Sequence, residues 1–249
     1  PISTYDKPKQ FLSLDSNISF LQATILRSLK LQCDGFILLV TRYDLQTMCN
    51  NQIQELLELL SAEQRQNLLE RLILILEPFC KGTANSVFFA MHYLRAFRKE
   101  NSSVLLLPSD HIIGPYENFE KDIEKGFSIN PNDKIVCYGI EPTYPAINYG
   151  YIQKGKNLQI NNINFEDVFF VPSFHEKPKL EKAKIFLEKG KYLWNTAIYT
   201  FPLDLMFDEY KAYQNEIFAA FKSFSKNSFQ TSYVNEINTI LPAKEIYES

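Results

Sequence analysis

Residues 72–76 read LILIL, five apolar side chains with no polar one among them, and Glu77-Pro78 closes the run. A half-buried strand alternates apolar with polar, so an unbroken run of this length marks a strand covered on both faces. Working outward, GFILLVT at 35–41 is a second run of this kind, VLLL at 104–107 a third and KIVCYG at 134–139 a fourth. The stretches between them keep a helical period: 44–60, 83–98 with Val87, Ala90, Met91 and Leu94 on one face, and 118–127. Buried strands alternating with helices predict an α/β fold, a doubly wound, mixed but mainly parallel sheet with helices on both faces.

After Tyr149 the pattern changes. Tyr149–Gln153, Val168–Phe174 and Ala197–Phe201 read as strands, Leu180–Lys189 as a helix and Asp204–Phe221 as one long amphipathic helix. The Asn-rich stretch 157–167 reads as a surface loop. No repeat or low-complexity linker divides the 249 residues, which read as one domain.

Composition narrows the function. A formal net charge of -3 gives no electrostatic reason to expect nucleic acid or an anionic membrane as partner. No apolar stretch approaches the ~20 residues of a membrane helix. The start, Pro1-Ile2-Ser3-Thr4, has no signal-peptide character. Cys33, Cys49, Cys80 and Cys137 are scattered without a CxxC pair, and Cys33 and Cys137 read as small core residues. The reading is a cytoplasmic protein, with a homo-oligomer left open.

In open α/β sheets ligands bind beyond the carboxyl ends of the strands, so residues there are the first candidates. Ser109-Asp110 follows the VLLL run, and Asp110 suits either a hard cation bridging phosphates or the N-cap of the next helix. Glu77 follows LILIL and leads through Lys81-Gly82 to Thr83-Ala84 at a helix start, where backbone N–H groups can meet a base or phosphate. Lys9 is a point charge for a phosphate or a solvated surface lysine. Further on, Tyr149-Gly150, Glu176-Lys177 and Trp194-Asn195 suit a sugar phosphate, or a bulge, a surface ion pair and a core aromatic.

Taken in order, PISTYDKPKQFLSL, EPFCKGTA, LLLPSDHII, YGIEPTYPAINYGYI, FHEKP and GKYLWNTAIYTF resemble the mannose-1-phosphate guanylyltransferase family of the sugar nucleotidyltransferases, across essentially the whole chain. The resemblance implies a Rossmann-like fold of the nucleotide-diphospho-sugar transferase type. It implies that the phosphate of mannose 1-phosphate attacks the α-phosphorus of GTP, giving GDP-mannose and pyrophosphate with Mg²⁺ as cofactor. On it, Asp110 carries the metal, Lys9 and Asp110 are catalytic, and Lys9, Glu77, Thr83, Ala84 and Ser109 bind nucleotide. Tyr149, Gly150, Glu176, Lys177 and Asn195 hold the sugar phosphate.

Some of the family's pattern is missing. No GGxGTRLWP-type loop and no WxDxGxW-type segment with a second metal-binding aspartate occurs in these residues, which implies a catalytic domain shortened at both ends, impaired turnover and an open slot in the sheet. Lys81 stands where Arg is usual and Ala197 where Gly is usual. Two alternatives stay open: a transferase for glucose 1-phosphate with dTTP or UTP, and an inactive relic or split-gene fragment that only binds.

Overall fold

The computed structural model describes residues 8–13, 17–31, 33, 35–77, 81–97, 102–129, 133–160, 163–234 and 236–242. In chain order the first half holds α1 (Phe20–Lys30), β1 (Ile37–Arg42), α2 (Gln46–Leu59), α3 (Ala62–Arg71), β2 (Leu72–Glu77), α4 (Thr83–Phe97), β3 (Ser103–Leu106) and α5 (Tyr116–Ser128). Then follow β4 (Val136–Ile140), β5 (Tyr151–Gln153), β6 (Asn157–Ile160), β7 (Ile163–Phe169), β8 (Phe174–His175) and α6 (Leu180–Lys189). The last elements are β9 (Tyr192–Pro202), α7 (Leu203–Tyr213), α8 (Asn215–Ala220), β10 (Phe229–Val234) and β11 (Ile237–Pro242). Two compact units result, one of residues 1–102, 108–122 and 203–249, the other of 103–107 and 123–202.

The first unit is built on the LILIL run. β1 and β2 pair in parallel from Ile37↔Leu72 to Arg42↔Glu77, and the strand order is β1-β2-β11-β10. All six residues of β2 are buried, and their alternation sorts them to two faces. Leu72, Leu74 and Leu76 pack with Leu21 and Ile25 of α1, Ile53, Leu56 and Leu57 of α2, and Leu68 of α3. Ile73 and Ile75 pack with Phe89 and Tyr93 of α4 and with Phe229. Each such fully buried side chain contributes on the order of 1.5–3 kcal/mol, which is why helices cover both faces. Capping boxes start α1 at Ser19–Gln22 and α3 at Ser61–Gln64. The doubly wound α/β expectation holds here. The open slot expected in the sheet is not seen beside β2, whose second edge pairs with β11 through Asn238↔Ile73, Thr239↔Leu74 and Ile240↔Ile75.

The second unit is antiparallel. β9, eleven residues long, pairs with β3, β4 and β5, and β8 pairs with β5. Tyr151, Ala183, Phe186 and Tyr192 form its core. The runs VLLL and KIVCYG therefore do not extend the parallel strands. In its own sheet β3 stands at the end of the strand order, not at the centre. Of the unbroken runs only LILIL is buried throughout; β1 is mostly half-buried, β3 has no fully buried residue, and Ile135 and Ile140 of the fourth run and its strand are exposed, so an apolar run fixes neither burial nor direction.

Several local readings change. Residues 157–167 are not a loop but the strands β6 and β7, paired antiparallel, with Leu158 buried; alternation of Leu158 and Ile160 outweighs the asparagines. The strand expected at Val168–Phe174 ends at Phe169 and resumes only at Phe174. The long helix expected at 204–221 breaks at Gln214, where φ is -130°. On α4 the buried residues are Phe88, Phe89, Met91 and Tyr93, so Met91 alone of the expected face is fully buried. Cys33 is exposed, not core, and its sulfur accepts from Arg71 Nη2 at 3.1 Å. Residues 1–7, Pro78 and Cys80 lie outside the described residues.

Candidate active site

The nucleotide candidates lie in the first unit. β2 delivers Glu77 to the carboxyl end of the sheet, where the residue is 7% exposed. Its carboxylate accepts from Ser86 Oγ at 2.9 Å, and burial pushes its pKa above the ordinary carboxylate range while that hydrogen bond opposes the rise. Gly82, at φ 90°, makes the turn into α4 in a conformation that glycine adopts without penalty. Thr83 and Ala84 open the helix and are exposed. First-turn N–H groups have no partner within a helix, so these two are available to an oxygen acceptor. Tyr210 donates to the Ala84 carbonyl at 2.8 Å and anchors the turn. Lys9 opens a single 3-10 turn, Lys9–Phe11, with Phe11 buried and Lys9 exposed.

Ser109 and Asp110 form a turn after β3, with the Asp110 side chain 40% exposed and Oδ1 3.8 Å from His111 Nε2. The turn is held from α1: Arg27, 6% exposed, donates from Nη2 to the His111 carbonyl at 3.2 Å and lies 5.6 Å from the centroid of the Phe119 ring. Burial lowers the Arg27 pKa. Among the described residues no three His, Cys, Asp or Glu side chains gather as a ready-made metal cage. A lone accessible carboxylate still fits Mg²⁺, which keeps waters and takes one or two carboxylates plus substrate phosphates.

The sugar-phosphate candidates lie in the second unit, and three of them meet. A Cβ added at Gly150 would fall 2.8 Å from Glu176 Oε2 and 3.4 Å from Asn195 Cβ. Asn195 N–H donates to the Gly150 carbonyl at 2.8 Å. A methyl there would displace the flexible end of Glu176 from its present position. The Asn195 amide is oriented at both ends, accepting from Ala197 N–H at 3.0 Å and donating to Tyr199 Oη at 3.0 Å. Lys177 pairs with Glu176 at 3.2 Å, both well exposed. It also sits at φ 40° just before Pro178, where extended backbone is the rule. Backbone strain of this kind collects at ligand sites. Tyr149 and Tyr144 meet Trp194 edge-on at 5.2 and 4.9 Å, and the buried Trp194 Nε1 has no hydrogen-bond partner among the described residues.

The structure thus ties Gly150, Glu176, Lys177 and Asn195 together, places Tyr149 against Trp194, and ties Glu77 to α4. Among the described residues no hydrogen bond or ion pair joins Lys9, Glu77 and Asp110 to one another. Three supporting residues escape sequence reasoning: Ser86, Arg27 and Tyr199. The arginine has a signal, a cation inside the apolar pattern of 20–30, but only once α1 is recognised as a helix.

Residues 1–238 match a family model described as nucleotidyl transferase. The chain is 35% identical over 230 residues to an Escherichia coli protein named mannose-1-phosphate guanylyltransferase, covering 91% of the chain and 46% of that protein. It is 36% identical over 212 residues to a protein of the same name from Salmonella montevideo, covering 85% of the chain and 42% of that protein. The chain therefore spans less than half the length of these curated relatives. A Helicobacter pylori structure described as mannose-6-phosphate isomerase shares the fold at TM-score 0.76 and 22% identity, covering 97% of this chain and 84% of that one. A Thermus thermophilus structure described as mannose-1-phosphate geranyltransferase does so at 0.71 and 21%, covering 97% and 69%.

Proposed function

Because the chain belongs to the nucleotidyl transferase family, we propose that it takes part in guanylyl transfer from GTP to mannose 1-phosphate, giving GDP-mannose and pyrophosphate. The observation that carries this is the 35% identity over 230 residues to a protein named for that reaction, in a chain whose Gly150, Glu176 and Asn195 are packed together. A phosphate oxygen of mannose 1-phosphate bonds to the α-phosphorus of GTP as the bond to the pyrophosphate oxygen breaks. No covalent intermediate with the protein is needed, so the work is positioning and charge neutralisation.

In this reading the first-turn N–H groups of Thr83 and Ala84 and the Glu77 carboxylate meet the nucleotide, with Ser109 beside them. Glu77, an acceptor when ionised, suits the N1–H and 2-amino donors of guanine, which adenine does not offer together. Lys9 supplies positive charge to the triphosphate. Asp110 holds Mg²⁺, which when bound neutralises phosphate charge. Glu176 accepts from sugar hydroxyls, Lys177 binds the sugar phosphate, Asn195 bonds through its oriented amide, and Gly150 leaves room with Tyr149 at the edge.

The test is nucleotide-sugar formation by the purified chain with Mg²⁺, supplying GTP with mannose 1-phosphate, then UTP or dTTP with glucose 1-phosphate. GDP-mannose as the main product supports the reading. A preference for UTP or dTTP with glucose 1-phosphate overturns its specificity, and no product from any pair overturns the activity.

A further inference from the structure

Apart from both clusters, the first unit holds a cavity of about 290 Å³ lined by His92 and Arg95 of α4 and by Phe224, Ser225, Lys226 and Phe229 of the segment leading into β10. Its charge is one-sided. Among the described residues no acidic side chain lines it, whereas Arg95 and Lys226 both do, in a chain of net charge -3. Arg95 lies over the Phe207 ring at 4.3 Å and Lys226 over Phe97 at 5.2 Å. Rings hold these cations in place but leave their charge uncancelled, and among the described residues no carboxylate pairs with either.

His92 is boxed by Phe88, Phe207 and Phe221 at 4.7, 5.0 and 5.3 Å, and its buried Nε2 has no hydrogen-bond partner among the described residues. Burial and the nearby Arg95 charge push its pKa down to about 4, so at neutral pH the cavity's charge is that of Arg95 and Lys226. Two cations without a counter-ion favour a dianion over a monoanion. Phe224 and Phe229 provide apolar wall, and the volume lies just below the ~300–1,000 Å³ of ligand pockets, which limits the ligand to a small one.

We propose that this cavity is a second ligand site, binding a small ring-bearing phosphate monoester independently of the Glu77 and Asp110 regions. Phenyl phosphate is the probe, titrated calorimetrically into the full chain beside inorganic phosphate and phenol. Phenyl phosphate should bind saturably and more tightly than either fragment. The Arg95→Gln/Lys226→Gln variant should bind it at least tenfold more weakly, with GTP affinity unchanged. Equal affinity for inorganic phosphate, retention of binding in the variant, or displacement by GTP would each overturn the proposal. Should the double variant not fold, Lys226→Gln alone is held to the same criteria. GTP binding and GDP-mannose formation are read separately, so failure here and failure of the transferase reading remain distinguishable.

Discussion

Ala197, the one exposed residue of β9, sits at φ 56° with its N–H held by the Asn195 side chain. The left-handed region costs a non-glycine residue about 1–2 kcal/mol, and glycine gives back roughly 0.5–1 through unfolded-state freedom. Ala197→Gly should therefore stabilise the protein by about 0.5–1 kcal/mol in urea unfolding; a clear loss would mean that the methyl makes a needed contact. Function has its own single-residue tests. Asp110→Asn should keep the fold, since the side chain is exposed, while abolishing the Mg²⁺ dependence of GTP binding. Unchanged metal dependence would remove Asp110 from the site. Lys177→Ala should weaken mannose 1-phosphate binding by roughly 1.5–3 kcal/mol, the range for hydrogen bonds to charged groups, and leave GTP alone. Loss of GTP instead would reverse the two halves of the proposed site.

Elements were legible where apolar runs were unbroken or helices strongly periodic. β1, β2, α4 and α6 fall within a few residues of their expected bounds, and α6 matches at Leu180–Lys189, ended by Gly190 at φ 62°. What stayed hidden was partnership. Nothing in VLLL says that it lies antiparallel to β9, and no reading of the sequence places β11, whose Ile237 and Ile240 are buried on opposite faces of the sheet. For the candidate site, the residues that touch were legible by resemblance, whereas Ser86, Arg27 and Tyr199 act through packing that motif spacing does not encode. The β6–β7 pair gives this a measurable form. As a surface loop, 157–167 would tolerate Leu158→Ala; as paired strands with Leu158 only 5% exposed, it should lose about 2 kcal/mol or more. A loss below about 0.5 kcal/mol by denaturant titration would restore the loop reading.

At the scale of the whole molecule, buried Glu77 and half-buried His92 of the first unit pull acid stability in opposite directions. His92 has a folded-state pKa of about 4 against an ordinary 6.5. The unfolded chain therefore binds its proton first as pH falls, and the stability due to a neutral His92 is complete above about 6.5 and drains away down to about 4. A shift of this size, discounted for incomplete burial, is worth on the order of 2–3 kcal/mol. Glu77 behaves in the opposite sense. Its raised pKa means that the folded state takes up the proton first, so its penalty is present near neutrality and is relieved on acidification. Ser86 limits that shift, so the histidine should dominate and stability should fall from pH 6.5 to pH 4. His92→Leu should flatten that fall, whatever its effect at pH 7, and Glu77→Gln should steepen it by removing the opposing relief. Urea midpoints at half-unit intervals give the comparison. If both variants track the wild-type slope, neither group is buried in solution as the structure has it, and the packing of Phe88, Phe207 and Phe221 around His92 is wrong.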